Sequence, residues 1–357
     1  MPIEEYLQDR DYPRSEDAMT ATSRSMMDGP PAEIKSAVKK ASTKDNWRNW
    51  LFVAEDWGVV GAAITLHQIW PTPMVYGLTL VAIGSRMRAL ANLLHEAAHH
   101  KLFKNRYVNN LAGALVCAAP IFVNYPKYVA THRLHHKYLW RDERDPDLSL
   151  YRSTHTEFSS ASRELFLRFY VKHALLTAIP VMPFLRLYRE RLSTAHQRLV
   201  GGLVLGGAGG VAIALPPALV ESLLLYWIVP WMTTYQILSY WAELGEHGGL
   251  RALGWRWGSR NWTGSPISRW LIGPHSDDLY HLLHHWFPSV PHYRLRGLDR
   301  ECRLLWPEYG AQSYCRGFFW SRRAGRLSVL YDIWRGEPPE NLRSHNGASA
   351  SKYAALG

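Results

Sequence analysis

Four stretches of this chain are apolar enough to suggest membrane-crossing segments, and polar, histidine-rich sequence lies between them. The first, residues 51–70, is interrupted early by Glu55 and Asp56. The turn Pro71-Thr72-Pro73 then leads to the second, residues 74–94, which carries Arg86 and Arg88. Neither is a clean run of the roughly 20 apolar residues that a bilayer core demands. Together they predict a helical hairpin whose two arginines reach the interface along their aliphatic stems. Residues 107–123 are apolar but short, and they predict an interfacial or re-entrant segment; residues 173–187 have the same character. The second hairpin is clearer. Residues 199–219 are almost free of charge, and 223–240 follow Glu221-Ser222, with Pro216-Pro217 near the bend. The expected fold is an all-α integral membrane protein with four transmembrane helices in two hairpins beneath a helical cap.

Charge orients this scheme. The turns at 68–73 and 216–222 contain no Lys or Arg, whereas 101–197 and 241–344 are rich in both. Positive loops stay on the cytoplasmic side, so the long segments and both termini are expected there. Residues 1–45 mix charged residues, Ser and Pro without periodicity and predict a mobile or surface-lying arm. They hold no apolar core for a cleaved signal. Residues 46–335 form the expected domain. Residues 336–357 read as a disordered tail, Pro-rich at first and then small and polar.

Composition adds two constraints. Of 357 residues 47% are hydrophobic, with 16 Trp and 19 Tyr, the aromatics that favour membrane–water interfaces. The mean hydropathy is nevertheless −0.22, so a large polar portion must lie outside any bilayer. The net charge of +11 comes with no nucleic-acid-binding signature, which leaves anionic lipid or cytoplasmic loops. Cys117, Cys302 and Cys315 are far apart and form no C-x-x-C pair, so they are expected to be structural thiols.

Histidine is the anomaly: nine of 17 fall in three short clusters. The first is His95-Glu96-Ala97-Ala98-His99-His100, directly after the second span. On a helix His95 and His99 share a face, and His100 points about 100° away. This stretch also matches the zinc-protease pattern H-E-x-x-H. The second cluster, His132-Arg133-Leu134-His135-His136, and the third, His281-Leu282-Leu283-His284-His285, are both H-x-x-H-H. Even without His100, eight imidazoles far exceed the three protein ligands of a catalytic zinc. Two metals sharing the set would each receive about four, and imidazole suits iron, copper, zinc and nickel alike. A dinuclear site assembled from distant segments at the membrane surface follows.

In their order and spacing the three clusters resemble those of the membrane fatty-acid desaturase family. Asp145-Pro146-Asp147 resembles its recurrent D-P-D. The run from His284 to Pro291 resembles its H-H-x-F-P-x-V-P. The resemblance covers roughly residues 50–300. It implies two iron ions held by His95, His99, His132, His135, His136, His281, His284 and His285. His247 fits as a ninth ligand: the family's animal stearoyl members place N-x-x-x-H there, with Glu243 standing where they have asparagine. The run Glu246-His247-Gly248 resembles the E-H-G of many bacterial members. Whether Glu243 or Glu246 touches iron stays open, as does a role for His100. Asp145 and Asp147 are expected to orient ligand imidazoles or to pair with Arg141 and Arg144. His275, Asp277 and Asp278 are expected to cap a loop. His67, His155, His173, His196, His292 and His345 are isolated and are given no role.

The implied activity is an O₂-dependent oxidoreductase that introduces a double bond into a fatty acyl lipid chain. No side chain can remove hydrogen from an unactivated C–H bond, so the metal centre must do so. The chain holds no reductase module, hence two electrons are expected from an external ferredoxin, rubredoxin or cytochrome b5-type carrier. The basic residues Lys101, Lys104, Arg106 and Lys127 offer such an acidic carrier a dock. A hydroxylase or ketolase of an alkane, carotenoid, sterol or specialised metabolite is the alternative on the same scaffold. An intramembrane zinc protease built on His95, Glu96 and His99 is more remote, because it leaves two clusters unexplained. A metal transporter is disfavoured, since the histidines flank the spans.

Overall fold

The computed structural model describes residues 30–141, 143–154, 156, 166–172, 175, 215–276, 279–311, 314–321 and 328–335. Helix α1 (Ala32–Ala41) precedes a long antiparallel pair, α2 (Arg48–Ile69) and α3 (Pro73–Ala98). Thr72 starts α3 by accepting from the Val75 N–H, and Pro73 occupies its first turn, where no backbone donor is needed. At 26 residues α3 is about 39 Å long. It is the central strut, and its second half, from Ile83 to Ala98, is almost wholly buried.

Helix α4 (Arg106–Ala112) continues through a π-helical stretch, Gly113–Ala118, and a short 3-10 turn to Ile121. The chain then bends by 96° into α5 (Tyr125–Tyr138). Asn124 caps α5 by accepting from the Lys127 N–H. After α6 (Leu148–Thr154) come a π-helical stretch, Phe166–Val171, and then α7 (Pro217–Leu223), a π turn, α8 (Val229–Met232) and α9 (Thr234–His247). Gly84 lets α9 approach α3: a Cβ there would stand 2.2 Å from Thr234 Oγ1. The Thr234 hydroxyl donates across that contact to the Leu80 carbonyl.

The cap continues with α10 (Gly254–Trp257), α11 (Pro266–Leu271), α12 (His281–Trp286), α13 (His292–Leu305), α14 (Pro307–Ala311) and α15 (Val329–Arg335). A two-residue parallel pair, Asn261 with Tyr314 and Trp262 with Cys315, joins two of its loops. Its core packs Trp257, Trp262, Leu279, Leu283, Leu295, Trp306 and Phe318 together. Cys117, Cys302 and Cys315 are buried and unpaired.

Several expectations meet the structure directly. Residues 32–41, expected to belong to a mobile arm, form α1 and pack on α13. The reason is a helical stripe of Ile34, Ala37, Val38 and Ala41, with Ile34 fully buried. Arg86 and Arg88 do not snorkel. Arg86 is buried against Asp56 at 3.1 Å, and Arg88 pairs with Glu246 at 2.9 Å. The two acidic residues that interrupt the first apolar stretch therefore serve this pairing: Asp56 directly and Glu55 at 3.8 Å. Residues 223–240 are not one regular helix, because Pro230 and the non-helical Thr233 break them. Among the described residues no single helix is long and apolar enough to cross a membrane; the bent pair Arg106–Ile121 and Tyr125–Tyr138 passes only together. Residues 199–214 of the third expected span, most of 173–187 and the tail 336–357 lie outside the described residues.

Candidate metal centre

The end of α3 decides what the first cluster can do. Its helix closes with the His100 N–H donating to the Ala97 carbonyl and the Lys101 N–H to the Glu96 carbonyl. This is a Schellman closure, and it puts His100 in the left-handed region at φ 54°. His95 and His99, one turn apart, face inward, while His100 is turned aside. Its ring lies 3.2 Å from an Arg133 nitrogen, and its carbonyl accepts from Lys44.

Helix α5 brings His132, His135 and His136; α12 brings His281, His284 and His285; His247 ends α9. These meet the first cluster in two groups whose ligand atoms lie within 4.8 Å of one another. One comprises His95, His99, His132, His136 and His284; the other comprises His135, His247, His281 and His285. Each H-x-x-H-H cluster is thus divided. Its i and i+4 histidines enter one group and its i+3 histidine enters the other. The groups are neighbours, with the His136 and His285 rings stacked at 4.2 Å.

The donor chemistry fits a cation. In the first group Nε2 atoms stand 2.8 Å apart for His99 and His132, 3.0 Å for His132 and His136, and 3.1 Å for His136 and His284. In the second group His281 and His247 approach to 2.9 Å, and His135 and His247 to 3.2 Å. Neutral imidazoles facing nitrogen to nitrogen cannot all satisfy one another, since each has one donor and one acceptor. A metal ion at the centre of each group accepts every lone pair at once. Burial pushes His99, His132, His136, His247, His281, His284 and His285 well below the usual histidine range. That favours the neutral ligand form.

The Nδ1 sides are held from behind. His247 faces the Gly258 carbonyl at 3.0 Å. His135 faces Asp145 and Asp147, both at 3.0 Å. Burial lowers the His135 pKa, but the two carboxylates outweigh it and raise it to about 10. Asp145 itself is fixed by the Trp140 and Asp147 backbone N–H groups. Asp145→Asn is expected to weaken metal binding at the four-histidine group about 10- to 100-fold, measured by competition with a chelator. An unchanged affinity would show that the carboxylate is only a structural contact.

The remaining named residues stand elsewhere. Glu243 accepts from the Tyr151 hydroxyl, and burial, with Asp147 nearby, raises its carboxyl. Glu246 pairs with Arg88, and its second oxygen lies 3.5 Å from His281 Nε2. Arg141 lies over the Trp255 ring and Arg144 over the Tyr138 ring, while Asp145 and Asp147 face His135. Glu96, the base in a protease reading, is buried in an ion pair with Lys101 and accepts from the His292 N–H. Two further histidines brace the fold: His275, expected to cap a loop, binds Asp56 at 2.9 Å, and His292, expected to be isolated, binds Asn49 at 2.9 Å. Lys101 departs furthest from its expected place. It is 1% exposed and cannot belong to a docking face. Its Nζ lies 2.5 Å from Glu96 Oε1 and 3.2 Å from His284 Nδ1. No spacing rule distinguishes it from its exposed neighbour Lys104. Asp277, Asp278, His155, His173, His196 and His345 lie outside the described residues.

Comparison with known proteins bears on this geometry. The family model described as "Fatty acid desaturase" matches residues 71–316. A dihydrorhizobitoxine desaturase of Bradyrhizobium elkanii is 30% identical over 302 residues, covering 81% of this chain and 85% of that protein. A chloroplastic omega-3 fatty acid desaturase of Glycine max is 28% identical over 78% of this chain. A chloroplastic sn-2 acyl-lipid omega-3 desaturase (ferredoxin) of Helianthus annuus is 27% identical over 74%. The matches span 65% and 64% of the length of these two plant proteins.

Proposed function

The chain belongs to the fatty acid desaturase family and is an oxidoreductase, and from that premise we propose that it is an O₂-dependent di-iron enzyme that desaturates an acyl chain. The observation that carries this reading is the division of nine histidines into neighbouring groups of five and four. His95, His99, His132, His136 and His284 would hold one iron, and His135, His247, His281 and His285 the other. When bound, the iron pair supplies an oxidant able to remove hydrogen from unactivated carbon. The chain's own part is to hold that pair, fix its ligands and keep water out. Asp145, Asp147 and the Gly258 carbonyl lock ring orientation from behind. Burial of His284, His281 and His247 shields the centre from solvent.

The α2–α3 hairpin carries an apolar exterior, with Leu51, Ile69, Met74 and Leu78 exposed and Trp47, Trp50 and Trp70 near its ends. Such a surface on a water-soluble protein would be a large exposed patch. In a bilayer it is the expected contact, with the tryptophans at the interface. On this reading spans at 51–70, 74–94, 199–219 and 223–240 anchor a domain of residues 46–335. Both termini, the tail 336–357 and the iron centre then lie on the cytoplasmic side. The ferredoxin in one relative's name suits an external two-electron donor, and the exposed Lys104, Arg106 and Lys127 offer it a positive approach.

Purified protein is expected to contain two irons per chain and to consume O₂ only with a reductant. In cells expressing the chain, mass spectrometry of lipids should show acyl products lighter by two hydrogens. A product heavier by one oxygen would make the enzyme a hydroxylase. Unchanged lipids, with dihydrorhizobitoxine losing two hydrogens instead, would place its substrate with the one in the Bradyrhizobium relative's name.

A further inference from the structure

The two histidine groups have neighbours of opposite character. Behind the four-histidine group, His135 Nδ1 faces two carboxylates, Asp145 and Asp147, at 3.0 Å each. Glu246 stands 3.5 Å from His281 but is offset by Arg88. Behind the five-histidine group, His284 Nδ1 faces the ammonium of Lys101 at 3.2 Å. Lys101 is locked there by Glu96 at 2.5 Å and the Val290 carbonyl at 3.1 Å. Its charge is offset by Glu96, so the five-histidine group sees a neutral pair and the four-histidine group sees net negative charge.

We propose that the two iron positions are electronically unequal by construction, so that the five-histidine iron takes up the first electron. This rests on the di-iron reading above. Negative charge close to a metal stabilises its more positive, oxidised state, and within a low-dielectric interior that preference is strong. Carboxylates behind a ligand imidazole also raise its basicity, in the same direction. Asp145 and Asp147 therefore hold the four-histidine iron in the ferric state. One electron from a low-potential donor converts diferric protein to a mixed-valence form with the ferrous ion among His95, His99, His132, His136 and His284. A second electron reduces the other iron. The chain thus fixes the order in which two single-electron deliveries fill the centre.

The test is a dithionite titration of the full iron-loaded chain in detergent, followed by Mössbauer spectroscopy and potentiometry. Two one-electron steps are expected, separated by at least tenfold in reduction equilibrium, which is about 59 mV for one electron. Asp147→Asn removes charge behind the four-histidine iron and should raise only the lower potential. Lys101→Met leaves Glu96 uncompensated near the other iron and should lower only the upper one, so both changes narrow the gap. Asp147 is 42% exposed at its side chain, so its variant keeps the test alive where the buried lysine variant fails to fold. A single two-electron step, or Asp147→Asn raising the upper potential, would overturn the proposal while leaving a di-iron enzyme. A chain that binds no iron would overturn the di-iron reading itself.

Discussion

Replacing His136 by alanine is expected to remove catalysis, with turnover falling by more than about a hundredfold and iron dropping below two per chain. The bound follows from the effect of changes one layer further out, which already cost 10- to 100-fold. His136 is the joint of the centre. Its Nε2 touches those of His99, His132 and His284, and its ring stacks on His285 of the other group. The side chain lies on a helix that is capped by Asn124, at its other end, so circular dichroism should stay unchanged. Iron content and product formation measured together decide the matter. A variant that kept both would sink the metal reading and reopen a protease built on His95 and His99.

Arg260→Ala is expected to destabilise the fold by about 3–5 kcal/mol, the usual cost of leaving one half of a buried ion pair alone. Arg260 is 1% exposed and donates through Nε to Asp332 at 2.8 Å. Its remaining nitrogens donate to the carbonyls of Leu244, Gly245 and Gly248. Those carbonyls lie at the end of α9, where helical donors run out; among them only Leu244 also accepts from a helix-closing N–H, that of Gly248. The guanidinium therefore holds the turn that carries His247. Loss of thermal stability in detergent should come with weaker metal binding at the four-histidine group. Arg260→Lys should recover little, because an ammonium cannot span a carboxylate and three carbonyls as the planar fork does. A small shift in melting temperature would show that neighbouring groups close the helix without it.

Much of the centre is legible in the amino-acid sequence alone. The nine histidines that meet are eight of those in the three clusters together with His247, because i, i+3 and i+4 spacing leaves a helix few other ways to use them. The division within each cluster is not legible there. Spacing places His132, His135 and His136 on one stripe, but which edge of that stripe faces which metal depends on how α5 and α12 lie against α3. The role of His100 is equally hidden. An H-H pair looks like two ligands until the backbone closure of α3 turns the second one out and the following lysine in. The arginines of the second apolar stretch mislead for a related reason. A sequence shows the cost of a charge in an apolar segment, while its partner, here Asp56 a helix away, appears only when α2 and α3 pack.

The sequence by itself determined the helical class, the paired apolar stretches and the histidine set, since these follow from local periodicity and from residue chemistry that no packing alters. Tertiary structure alone decided which imidazoles share a metal, which charges stand behind them, and that Lys101 is a buried neighbour of His284 and not part of a surface. Those outcomes depend on contacts between segments up to 189 residues apart. Burial and distance set the strength of electrostatic interactions, and neither can be read along a chain.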